Sequence, residues 1–237
     1  THVSALDKAL GCTRPLADQL LDERLLLPIS DGQTTAAGRT WKGVDNREIQ
    51  AFLAELEAAA RPVDTAPHGM VPIAKAAEKT KNLCVEIVHL ILGGFLENVA
   101  RLRGRKGYSA ILVDPAEVRV QSHTVLVGVS ASAAFGRLKI PKSTGWALVR
   151  LQQGPRLDSI VVEGRTGRHR FHRFAEGTIA DFLSEFTTDT RLANKYDVQK
   201  RVVIAHLKGA RIRPVIDRKE TGMDFYKAAD IPEFEPA

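Results

Sequence analysis

Apolar residues fall three and four positions apart in short runs, and each run ends at a glycine or proline. Leu6, Ala9 and Leu10 stop at Gly11; Leu16, Leu20 and Leu21 follow and give way at Leu25-Leu26-Leu27-Pro28. Such spacing turns one face of a helix inward, and Gly or Pro at its end is a stop signal. A Gly-rich polar stretch then reaches Gly43, after which Ile49, Phe52 and Leu53 predict a closing helix. The order is helix, tight turn, helix, polar hairpin, closing helix.

The same order returns from Val71. Ile73, Ala74 and Ala77 precede Val85, Val88 and Ile91-Leu92; Gly93-Gly94 follows, and 101–108 makes a basic hairpin. Asp114 then caps a helix with Pro115 in its first turn. A third copy begins at Val129, with Ala134-Phe135, Leu138, Ala147-Leu148-Val149, a break at Gly154-Pro155, and a helix over Ile179 to Leu183. A shorter fourth has Leu192-Ala193, then Val198, Val202 and Leu207 packing inward behind a cap at Asp197, and ends through Phe225-Tyr226. The copies start near 3, 71, 129 and 189, about 60 residues apart, and repetition at a fixed period signals a tandem architecture. The expected fold is mainly α, a tandem array of winged helix-turn-helix units with short β-hairpin wings. The units span 1–57, 69–119, 125–184 and 188–237, with wings near 39–44, 99–112, 160–174 and 212–217 and linkers at 58–68, 119–127 and 184–189.

Composition narrows the class without naming a function. With 44% apolar and 26% charged residues the chain is an ordinary globular one. No apolar run approaches the roughly 18–20 residues of a membrane span, and no signal peptide opens the chain. The expected location is cytoplasmic and nucleoid-associated, with no membrane partner. A start at Thr1, inside a periodic segment, reads as a piece of something longer. Cys12 and Cys84 lack a CxxC partner, and the His169/His172 pair lacks further ligands, so neither a disulfide framework nor a metal site is expected.

Charge changes the picture more. Residues 137–213 carry 16 basic and 7 acidic side chains, a net of +9, whereas 1–57 carry 6 and 9, a net of −3. A graded field of this kind fits a polyanion partner for part of the molecule. In a winged helix-turn-helix the second helix offers its N-terminal residues to the major groove. The second copy supplies Lys81 and Asn82 there, with Arg103, Arg105 and Lys106 on its wing. The third supplies Lys142, Ser143, Thr144 and Arg150, with Arg165, Arg168, His169, Arg170 and Arg173 on its wing. The fourth supplies Gln199, Lys200 and Arg201, then Lys208, Arg211 and Arg213. Gln and Arg can read adenine and guanine edges, while the wing cations suit phosphates. Trp41 and Trp146 suit core packing as well as base stacking. The first copy carries Asp18, Asp22 and Glu23 on its second helix and is expected to meet protein instead. No paired carboxylates, nucleophile with a base, or phosphate loop stands in a convincing setting, so neither enzyme activity nor a cofactor is expected.

The consecutive units, the stretch from Gly107-Tyr108-Ser109-Ala110 through Val113-Asp114-Pro115-Ala116-Glu117-Val118-Arg119, and the ending Ile212-Arg213-Pro214-Val215-Ile216-Asp217 with Phe225-Tyr226 resemble the C-terminal region of TniQ-family proteins. These are transposon target-selection proteins that include the TnsD type. The resemblance covers most of the chain, and each unit also looks like MerR- and excisionase-type domains. The zinc-binding Cys and His motifs of the TniQ N-terminal region have no counterpart here. What the resemblance implies is binding of double-stranded DNA in transposition or recombination, transposase-associated or other recombination proteins as partners, and no catalysis. Two alternatives stand beside it: a helical-repeat protein-interaction scaffold, and a MerR/excisionase-like transcriptional regulator.

Overall fold

The computed structural model describes residues 1–29, 43–216 and 218–231. It is about 52% helical with small sheets, a mixed α/β fold, so the expectation of a mainly α chain holds only in part. Trp41 and most of the expected 39–44 wing lie outside the described residues. The chain divides into two compact units: Thr1–Val127 with Val161–His172, and Gly128–Ile160 with Arg173–Ala237. Most of the expected third wing therefore packs with the first two copies.

Unit 1 opens with a 3-10 turn, Val3–Ala5, and α1 (Leu6–Leu10) and α2 (Arg14–Asp22). Strands β1 (Pro28–Ile29) and β2 (Gly43–Val44) pair antiparallel, and α3 (Asn46–Ala58) follows. Next come β3 (Arg61–Val63), β4 (Val71–Pro72), α4 (Ile73–Thr80), α5 (Cys84–Leu92), β5 (Val99–Leu102), β6 (Ile111–Val113) and α6 (Pro115–Val125). The sheet order is β3-β5-β6-β4. The expected linker at 58–68 is corrected, because Arg61 to Val63 form an edge strand parallel to β5. Pro62 fits there, since an edge strand can lack a donor on its open side. The expected linker at 119–127 is corrected too, because α6 continues to Val125. Asp114 caps α6 as expected, accepting from the Ala116 N–H at 2.9 Å with Pro115 in the first turn.

Unit 2 holds β7 (Val129–Ser130), α7 (Ala131–Leu138), α8 (Lys142–Arg150), α9 (Glu176–Glu185), β10 (Phe186–Thr187), α10 (Asp189–Tyr196), α11 (Lys200–Gly209), α12 (Arg218–Thr221) and β11 (Tyr226–Lys227). The hairpin strands β8 (Ile160–Glu163) and β9 (Arg170–Phe174) cross the division between units. The expected linker at 184–189 is corrected: β10 pairs with β11, and Thr188 caps α10 by accepting from the Arg191 N–H. The wing expected near 212–217 is not a strand hairpin of its own: only Ile216 there makes a bridge, to Phe225, and the strand that follows, β11, pairs with β10.

One backbone device recurs in every copy. Gly11, Lys81, Lys139 and Asp197 have φ between 51° and 67°, and the next helix begins three residues later, at Arg14, Cys84, Lys142 and Lys200. The left-handed residue ends one helix and lets the following N–H turn back onto it. Cys12, Ile140 and Val198 donate in this way to the carbonyls of Asp7, Phe135 and Ala193 at 3.0–3.1 Å. Asp197 thus ends α10 instead of capping α11; the cap position belongs to Gln199, whose side chain makes no capping bond. The segment entering each first helix also pairs with the end of its hairpin: His2 with Gly43, β4 with β6, β7 with β9, β10 with β11.

Candidate nucleic-acid interface

Whether a helix can enter a groove depends on which of its faces is free, and the second helices differ sharply. In α5 every residue from Val85 to Ile91 is buried, Glu86 and His89 included. It is a core helix of unit 1, and only the turn that leads into it, Lys81 to Cys84, comes near the surface. Asn82 is half-buried and held there, accepting from the Ser122 hydroxyl at 3.1 Å and reaching Glu86 at 3.5 Å. Lys81 is exposed but occupies the left-handed turn. On the wing beyond, Arg103 pairs with Asp64 at 3.0 Å, while Arg105 and Lys106 are exposed.

Helix α8 is half committed. Thr144 is 1% exposed and Trp146 is buried edge-on against Phe135, ring centroids 5.4 Å apart. Both side chains are withdrawn from the surface, against the DNA contact expected of Thr144. Lys142 donates to the Ser132 carbonyl at 3.1 Å and hydroxyl at 2.5 Å, which ties α8 to α7. Ser143, Arg150 and the turn residue Lys139 remain on the surface. Lys139 was not among the expected site residues; its place three residues before α8 is the signal that marks it.

Helix α11 is the exception. Val203 and Leu207 pack inward, while Arg201, Val202, Ala205 and Lys208 are exposed. Val202, expected in the core, is 42% exposed. Leu207 packs inward as expected, Val198 is half-buried, and Val203 takes the core place expected of Val202 because α11 packs against α10 through that face. Gln199 stands at the helix entrance, and Arg211 and Arg213 follow its end, all exposed. Among the described residues no carboxylate lies within ion-pair distance of Arg201, Lys208, Arg211 or Arg213. Lys200 is engaged otherwise, 3.0 Å from the Asp189 carboxylate, which is 2% exposed. Its role is to neutralise a buried charge, since a carboxylate taken out of water needs a partner.

The third hairpin is mostly occupied as well. Arg173 is 3% exposed and donates to the Gly128 carbonyl at 2.8 Å, so its expected phosphate contact is overturned. Arg170 pairs with Glu163 at 2.8 Å. The Arg165 N–H donates to the Gly93 carbonyl at 2.8 Å, and its guanidinium lies 3.7 Å from Glu97. His169 Nε2 sits 3.0 Å from His89 Nδ1, and His89 stacks on Phe171 at 4.4 Å. Burial holds the His169 pKa below the ordinary imidazole value; His172 is lowered by burial and then by the Arg24 charge. Arg168 alone of this wing is exposed and outside ion-pair distance of any described carboxylate. Among the described residues no group of three His, Cys, Asp or Glu side chains could hold a metal ion, and no helix is long and apolar enough to cross a membrane. No protein-family model, curated protein or solved structure matches the chain.

Proposed function

We propose that the protein binds duplex DNA through tandem winged helix-turn-helix units, with α11 as its reading helix. The observation that carries this is the outer face of α11. It joins an amide, a guanidinium and an exposed aliphatic side chain (Gln199, Arg201, Val202), flanked by the cations Lys208, Arg211 and Arg213. Gln and Arg contact adenine and guanine edges in the major groove, an apolar group can meet a thymine methyl, and the flanking cations suit phosphates. The repeated order of strand, helix, left-handed turn, helix and hairpin supports the winged description. Together with the resemblance to TniQ proteins, it favours a role in choosing transposition targets, with recombination proteins as partners and a nucleoid location. A scaffold role fits unit 1, whose second-copy helix is buried and whose first 57 residues are net acidic.

The test is selection from a random duplex library followed by anisotropy with the selected site. Arg201→Ala and Gln199→Ala should each relax preference at one or two base pairs, by about 1–3 kcal/mol per lost contact. A binding profile identical to the parent's in both variants removes α11 from the interface. Absence of any salt-sensitive binding favours the scaffold.

A further inference from the structure

Where a second helix opens with a cation, that side chain turns back to the start of the helix before it. Arg14, opening α2, donates to the Val3 carbonyl at 3.0 Å, where the 3-10 turn leading into α1 begins. Lys142, opening α8, donates to the carbonyl and hydroxyl of Ser132, the second residue of α7. Lys200, opening α11, lies 3.0 Å from the carboxylate of Asp189, the first residue of α10. A cation at a helix N-terminus opposes the helix dipole, so the tie, not helix stability, accounts for the recurrence.

The tie in the fourth copy differs in charge. Asp189 is 2% exposed, and its Oδ1 also accepts from the Thr190 N–H at 2.7 Å and hydroxyl at 3.2 Å, which fixes the carboxylate in place. Lys200 is its one cation within ion-pair distance among the described residues. The Lys200 side chain is still 47% exposed, in sequence between the exposed Gln199 and Arg201. On bound DNA, a backbone phosphate would be its competing partner. Releasing Lys200 would strand a buried carboxylate, which costs more than one screened phosphate contact returns.

Resting on the reading of α11 as the helix that meets DNA, we propose that Asp189 is a positioning residue that sets specificity. It holds the entrance of α11 to the start of α10, which aims Gln199 and Arg201, and it withholds Lys200 from the phosphates. The protein forgoes one sequence-independent contact and keeps a larger share of its affinity for base reading.

The test takes the full chain with two duplexes, the selected site and a scrambled one, and reads anisotropy across salt concentrations. Asp189→Asn keeps an acceptor for Thr190 and removes the charge that holds Lys200. At about 0.1 M salt it should bind the scrambled duplex about 3- to 10-fold more tightly, with a salt slope steeper by about 0.9, one further phosphate. Its ratio of selected to scrambled affinity should fall about fivefold or more, as the loss of one base contact implies. Adding Lys200→Gln to Asp189→Asn should return the slope to the parent value, which a merely structural carboxylate would not require. In the parent, the Lys200 ammonium resonance, assigned by its loss in Lys200→Arg, should keep its shift when the selected duplex is added; this measurement needs no Asp189 variant to fold. An unchanged slope or ratio in folded Asp189→Asn, a steeper slope that survives Lys200→Gln, or a Lys200 resonance that moves with DNA overturns the inference and leaves α11 at the interface. A parent that binds no duplex overturns both readings.

Discussion

Lys139 adopts φ 55°, a conformation that an L side chain occupies at a cost and glycine does not. Lys139→Gly should therefore raise the free energy of unfolding by up to about 1 kcal/mol in urea titration. A few residues on, Gly145 works in the opposite sense. A Cβ there would sit 2.4 Å from the Phe135 ring, which the packing of α8 on α7 brings close. Gly145→Ala should cost about 1–3 kcal/mol through overpacking, and a change below 0.5 kcal/mol would mean that the ring gives way. Arg173 separates stability from binding. Removing its buried charged donor should cost roughly 1.5–3 kcal/mol, while the folded Arg173→Ala protein should hold DNA within about twofold of the parent. A large loss of DNA affinity at full folding would return Arg173 to the interface.

At the scale of elements, the hairpin from Ile160 to Phe174 illustrates docking through a neutral imidazole. His169 packs on His89 and Phe171 inside unit 1, and its pKa is depressed by burial. The folded state thus binds fewer protons than the unfolded one in the window below the ordinary value of 6.5. The contribution is complete above that value and is lost as pH falls towards the folded pKa. Hydrogen exchange of 164–172 should accelerate between pH 7.5 and 5.5 relative to the core of unit 1. His169→Phe should flatten that dependence; an unchanged pH profile in this variant would assign the effect to other groups. Much of the element pattern was legible beforehand. The stop at Gly11, the Asp114 cap and the hairpin at 99–112 follow from local chemistry and apolar spacing, whereas the left-handed turns at Lys81, Lys139 and Asp197 carry no glycine to mark them. The fate of α5 was also written in its sequence, Cys84-Val85-Glu86-Ile87-Val88-His89-Leu90-Ile91-Leu92. A helix apolar on every side belongs in a core, not in a groove.

For the whole molecule, the charge excess is a poor guide until pairs are subtracted. Of the cations expected to meet DNA, Arg103, Arg165, Arg170 and Lys200 face carboxylates, and Arg173 is buried. What remains around α11 is Arg201, Lys208, Arg211 and Arg213. If Lys208, Arg211 and Arg213 meet phosphates while Arg201 reads a base, three contacts give a slope of log affinity against log salt of about −2.7, from roughly −0.9 per neutralised phosphate. Replacing the three together should bring it close to zero on the same duplex. A slope that stays near the parent value would move the phosphate contacts elsewhere, to Arg105 and Lys106 or to Lys139 and Arg150.

By itself the sequence determined the spacing of the short helices, the stop at Gly11, the Asp114 cap and the regional charge, because each depends on residues close together in the chain. Tertiary structure alone decided which cations are free. Arg173 and the neighbouring His169 look alike as members of a basic wing, yet one caps the Gly128 carbonyl from a buried position and the other packs against an imidazole 80 residues away. The inward face of α11 was decided in the same way. Val202 and Val203 are equally apolar, and only the packing of α11 against α10 turned Val203 into the core and left Val202 on the surface. Burial is a property of what lies across the fold, and a pattern read along the chain does not contain it.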